Sequence, residues 1–175
     1  MRRIWLAAAV ALVLAAVNWS IAAKERIRNE GAVIFLELRP VDPRSLMQGD
    51  YMALRFALAE EIARGAPGLA SAVPHPGADE FRRRTPLSGE GGFAWAPIRL
   101  DARGVARLAA QVDPEAVRIR YRIRAGQPWL GTNAFFFSEG QAARFTPARF
   151  GEFRLDRETG EAVLVGLRDA DLKPL

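Results

Sequence analysis

From Ile4 to Ala23 the chain carries no charged residue, between Arg2-Arg3 on one side and Lys24 on the other. These twenty residues, wound as an α-helix at 1.5 Å rise each, reach roughly 30 Å, the thickness of a bilayer's hydrocarbon core. Trp5 and Trp19 lie near the two ends, where aromatic rings favour the membrane interface. A cleaved secretory signal is the rival reading, because Trp5 to Val17 makes an apolar core and Ser20-Ile21-Ala22 is a small-x-small site. The length of the run and its paired tryptophans favour an uncleaved anchor. Lys24, Arg26 and Arg28 balance the basic residues ahead of the run, so orientation rests on the ordinary export habit of a domain that follows a short basic terminus. The expectation is an inner-membrane protein, crossing once, with its C-terminal domain in the periplasm.

The remaining residues suffice for one domain with a sizeable core, and half of the 175 residues are apolar, the globular range. The chain divides into an anchor over 1–23, a juxtamembrane segment over 24–31 and a single domain over 32–175. "KERIRNEG" has a charged helical pattern that stops at Gly31. "AVIFLELRP" reads as a strand. "GDYMALRFAL" reads as a second strand, with Met52, Leu54, Phe56 and Leu58 on one face. Arg64 to Pro86 holds four prolines, three glycines and Arg82-Arg83-Arg84, and reads as a long loop. "GGFAWAPIRL", "DARG" and "VARLAAQV" form a hairpin pattern with Gly104 in the turn. "AVRIRYRIRAG" alternates strictly, "NAFFFSEGQAARF" is a strand that breaks into a turn or short helix, and two strands flank "DRETGE". Six or seven strands with little helix predict a mainly β fold: an N-terminal transmembrane helix followed by one antiparallel β-rich domain with minor helix.

The residue inventory excludes much chemistry. Cysteine is absent, which removes disulfides, thiol nucleophiles and cysteine metal clusters. His75 is the one histidine and lies between two prolines, a poor setting for the base of a triad. No histidine-rich metal set, calcium loop, phosphate loop or dinucleotide fingerprint is present, so no metal and no cofactor is expected. A serine-lysine dyad with Ser45 as nucleophile is the residual enzymatic reading, since "SLMQGD" resembles the serine segment of membrane-anchored signal peptidases. Their base is a lysine on a later strand, and the two lysines here are Lys24 and Lys173. Arginine stays protonated and cannot replace it.

Two constellations remain. In "PVDPRSLMQGDYMALRF", Asp42 and Pro43 favour a tight turn that Ser45 helps to close, and Gly49-Asp50 lead into the strand, where Asp50 can pair with Arg44 or Arg55. This is a well-specified corner, and Asp42, Arg44, Ser45, Gly49, Asp50, Tyr51, Leu54 and Phe56 are the candidate interaction residues. The second is the ladder Arg118, Arg120, Arg122 and Arg124, about 6.7 Å apart on one strand face. Near a membrane such a row meets anionic headgroups. Cross-strand carboxylates such as Glu152, Asp156 or Glu161 offer an alternative that neutralises it. The Phe135 to Phe137 run reads as core. The net charge of +5 is carried almost entirely by arginine; no nucleic-acid partner is expected from it.

At "GDYMALRF" the sequence resembles the GDYXXLXY protein family: Gly49, Asp50, Tyr51 and Leu54 match, and Phe56 replaces the final tyrosine of the motif. Further likeness runs through "LRPVDPRSLMQGDYM", "FFFSEGQAARF" and "ARFGEFRLDRETGEAVLVGLRD". The resemblance implies a bacterial membrane-anchored protein, in some cases in the company of multi-spanning membrane proteins, and carries over no catalytic residue. The functional expectation is a non-enzymatic periplasmic domain acting through contact with an integral-membrane partner.

Overall fold

The structure, a computed structural model, describes residues 2–39, 51–69, 92–109, 113–124 and 127–175. Helix α1 (Arg2–Glu30) is long and apolar enough to cross a membrane, and its apolar window is wholly exposed. Residues 24–30 form its last turns. The helix stops where the amide of Gly31 donates to the Ile27 carbonyl at 2.9 Å. A Cβ on Gly31 would collide with that carbonyl oxygen and come 3.0 Å from Cβ of Arg154, so glycine permits the close approach of chain and sheet.

Strands β1 (Ala32–Glu37), β8 (Phe150–Leu155) and β9 (Ala162–Arg168) form one antiparallel sheet in the order β1-β8-β9. A second has the order β4-β3-β5-β6, from β3 (Phe93–Leu100), β4 (Ala106–Leu108), β5 (Val117–Arg124) and β6 (Gln127–Trp129). The short strands β2 (Tyr51–Ala53) and β7 (Ala134–Phe136) pair with each other. The period-two patterns turn Ile34 and Leu36 of β1, Ile119 and Tyr121 of β5, and Phe153 and Leu155 of β8 into one shared core. Mainly β, antiparallel and preceded by an apolar helix, the fold is the one the sequence predicts.

Both expected hairpins are present. Oδ1 of Asp101 accepts from the amides of Arg103 (2.8 Å) and Val105 (2.9 Å), and Gly104 takes φ +79°. In the β8–β9 turn, Oδ1 of Asp156 accepts from Glu158 at 2.9 Å and Gly160 takes φ +75°. That turn plugs into the second sheet: the Arg120 amide donates to the Gly160 carbonyl at 2.6 Å, and the Trp95 indole to the Thr159 carbonyl at 2.9 Å.

Two expectations need correction. The strand from "GDYMALRFAL" ends at Ala53, Phe56 forms a single bridge with Leu38, and helix α2 (Ala57–Leu69) begins where strand was expected to continue. Met52, Leu54 and Phe56 do share the buried face, but Leu58 and Ile62, four apart, bury a helical face instead. Alanine and glutamate between them favour helix, Glu60 suits its first turn, and Glu61 accepts from the Leu108 amide at 3.0 Å. The loop expected from Arg64 is therefore helical to Leu69; 70–86 and His75 lie outside the described residues. The phenylalanine run is likewise not all core. Phe135 and Phe137 pack on Phe145 of α3 (Ala142–Phe145), at 5.2 and 5.1 Å between ring centroids, while Phe136, on the opposite face of β7, is 75% exposed.

The end of α1 docks on the domain. Ile27 is buried, Lys24 pairs with Glu161, Arg26 lies 4.0 Å from Asp156, and Nη1 of Arg154 reaches the Gly31 carbonyl at 3.4 Å. The apolar span and the sheet thus meet through an apolar contact and several polar ones.

Candidate functional site

Of the corner singled out in the sequence, Asp42, Arg44, Ser45, Gly49 and Asp50 lie outside the described residues. Tyr51, Leu54 and Phe56 divide by role. Leu54 and Phe56 are buried, and the Phe56 ring meets Phe153 edge-on at 5.4 Å. Gly151 leaves room for this, because a Cβ there would stand 3.0 Å from the Phe153 ring and 3.2 Å from the Phe56 ring. Tyr51 opens outward and contacts Phe136, with centroids 5.8 Å apart. Outside α1, the described residues expose three large hydrophobic side chains, Val33, Tyr51 and Phe136. Two of the three touch each other and form an exposed aromatic pair. As for a base for Ser45, Lys24 is paired with Glu161 and Lys173 with Asp171 at 3.6 Å.

The arginine ladder stands on β5 as its alternation requires, and each member is engaged. Nη2 of Arg120 lies 2.9 Å from Glu161, and its guanidinium is 4.5 Å from the Phe93 ring centre. Arg122 approaches the same ring at 5.8 Å, and Arg124 covers Trp129 at 4.5 Å. Arg118 has a partner too. Among the three carboxylates weighed from the sequence, Glu161 binds the ladder directly. Asp156 acts on Arg120 through its charge, while Glu152 is buried against Arg168, 2.6 Å from its Nε. Burial, followed by repulsion from Arg122, lowers the affinity of Arg120 for its proton, with Asp156 opposing; it remains a cation at neutral pH.

Two cavities share Trp129 and Thr132 among the residues that border them. One, of about 640 Å³, is bordered by motif residues Leu54 and Phe56 together with Arg55 and Arg124. The other, of about 490 Å³, is bordered by Lys24, Arg120, Arg122 and Glu161, with Phe93, Tyr121 and Phe136 among its apolar residues. Sequence reasoning reached the arginines and Tyr51 but not Lys24, Phe93, Trp129 or Phe136. Alternation along β7 was the available signal for Phe136; the meeting of Lys24 with Glu161 depends on sheet order and had none.

A family model described as GDYXXLXY protein matches residues 13–167. No curated protein and no solved structure matches the chain.

Proposed function

Since the chain belongs to the GDYXXLXY protein family, we propose that it is a single-pass inner-membrane protein whose β-rich domain sits on the periplasmic face and acts, without catalysis, by contact with an integral-membrane partner. The observation that carries this reading is the exposed Tyr51–Phe136 pair on a domain docked to the end of an apolar helix. Aromatic pairs of this kind supply rigid apolar area at low entropic cost and favour interfaces. Docking of α1 through Ile27, Lys24 and Arg26 limits how far the domain can swing away from the bilayer. A membrane-embedded partner therefore meets the same face each time. No cofactor enters this account.

The test is a photo-crosslinker at position 136, then at 51, of the full-length protein in native membranes. A discrete membrane-protein adduct, lost on Tyr51→Ala, supports the reading. No protein adduct, together with labelling of Ser45 by a serine-reactive probe, would replace it with the hydrolase.

A further inference from the structure

The cavity beside Lys24 has three features that belong together. Its charged border holds three cations, Lys24, Arg120 and Arg122, and one carboxylate, Glu161. Glu161 is committed to Lys24 and to one side of Arg120. Arg122 has no carboxylate partner among the described residues; its contact there is the Phe93 ring. With Asp156 the further carboxylate felt by Arg120, the cations on this border still outnumber the carboxylates, and an anion entering gains from Arg122 and Arg120 without displacing Glu161.

The second feature is height. Lys24 directly follows the apolar run that ends at Ala23, which places its ammonium at the level of lipid headgroups if α1 spans the bilayer. A crevice between α1 and β9, bordered by Ser20, Ile21, Lys24, Glu25, Arg28 and Val163, shares Lys24 and Val163 with the cavity. It leads from the apolar span towards the cations. The third feature is the apolar part of the border, including Phe93 and the exposed Phe136, which suits the glycerol and upper acyl region of an amphiphile more than a bare ion.

We infer that this cavity binds the phosphate of an anionic membrane lipid, with Arg122 and Arg120 on the phosphate and the lipid's chains running along α1. The assignment rests on the anchored reading given above and adds a ligand class to it. Guanidinium groups match phosphate oxygens in pairs, which a diffuse basic surface does not require. The site thereby fixes both the depth and the rotation of the domain on the bilayer.

The experiment is native mass spectrometry of the full-length protein released from micelles containing equal amounts of phosphatidylglycerol and phosphatidylcholine. Wild-type protein is expected to retain phosphatidylglycerol in preference, and Arg122→Gln to reduce that preference about fivefold. Because Arg122 holds no carboxylate among the described residues, this variant tests the site without breaking an ion pair described there; Arg120→Gln/Arg122→Gln should abolish the preference. Equal retention of the two lipids by wild type would overturn the inference, as would a preference unchanged in both variants, which would locate the attraction elsewhere. Displacement of the lipid by millimolar inorganic phosphate would assign the site to a soluble phosphate and overturn the lipid source. Release of the protein from native membranes by a carbonate wash would instead remove the anchored premise, a result separable from the others.

Discussion

Lys24, the first charged residue after the apolar span, is ion-paired with Glu161, whose other carboxylate oxygen holds Nη2 of Arg120 at 2.9 Å. One carboxylate thus joins the end of the apolar helix to the central arginine of β5. The hairpin turn makes this possible, because it delivers Glu161 beside β5 through the Arg120 amide to Gly160 carbonyl bond. Replacing Glu161 by alanine leaves two neighbouring cations unscreened. A loss of about 1–2 kcal/mol is expected, held low because Lys24 is half exposed. Spin labels on α1 and on β9 should also show a broader distance distribution; a distribution as narrow as wild type would mean the clamp lies elsewhere.

The matched motif separates into core and surface. Leu54→Ala or Phe56→Ala should cost about 3 kcal/mol in denaturant unfolding, since both side chains are buried and leave cavities. Tyr51→Ala and Phe136→Ala should change stability by less than about 1 kcal/mol while removing the partner adduct. Equal destabilisation by all four would make the motif purely structural.

Glu152 is a buried carboxylate joined by Arg168. Glu152→Ala strands a guanidinium in the sheet and is expected to cost about 3 kcal/mol. Glu152→Gln keeps a hydrogen-bond acceptor and should cost less. Identical unfolding midpoints for the two variants would show that the acceptor is dispensable, and a Glu152→Gln midpoint equal to that of wild type would show the same of the charge.

Asp156 gives the fold an acid-sensitive element. Burial raises its affinity for a proton, but the Glu158 amide, the Thr159 hydroxyl and amide, and the charge of Arg26 together outweigh this and hold the carboxyl below its ordinary range. A folded value below the unfolded one makes the ionised form stabilising, fully so above the unfolded value of about 3.9, with the contribution lost as pH falls through the folded value. The gap in melting temperature between wild type and Asp156→Asn should therefore be widest near neutrality and close in acid. A gap constant with pH would contradict it.

Gly160 combines a left-handed backbone with no room: a Cβ would stand 2.9 Å from Cδ1 of Trp95 and 3.1 Å from the Arg118 carbonyl. Gly160→Ala should cost about 1–3 kcal/mol and perturb the fluorescence of Trp95. An unchanged stability and spectrum would show that the turn has another low-energy seat.

What was legible in the sequence was local. Val117, Ile119 and Tyr121 alternate with arginines, and "DRETGE" and "DARG" carry their own turn chemistry, so β5 and both hairpins could be read directly. Helix α2 was missed because Met52, Leu54, Phe56 and Leu58 keep period two across the point where Ile62 begins period four. The site was half legible. Arg120 and Arg122 declare themselves, but their meeting with Lys24 requires β8 and β9 to lie against α1, and no local pattern encodes a sheet order. Phe136 was masked by its neighbours, since a run of three phenylalanines suggests core until the strand direction assigns alternate faces.

If α1 holds the β domain at the bilayer surface, the Lys24–Arg122 cavity and Phe136 lie at headgroup level. The most direct measurement is the membrane depth of a spin label at position 136 of the full-length protein in phosphatidylcholine/phosphatidylglycerol vesicles, from its collisions with oxygen and with a water-soluble nickel chelate. An interfacial depth, close to that of a label at Lys24, is expected. A label at 136 as accessible to the nickel chelate as a group in bulk water would contradict it.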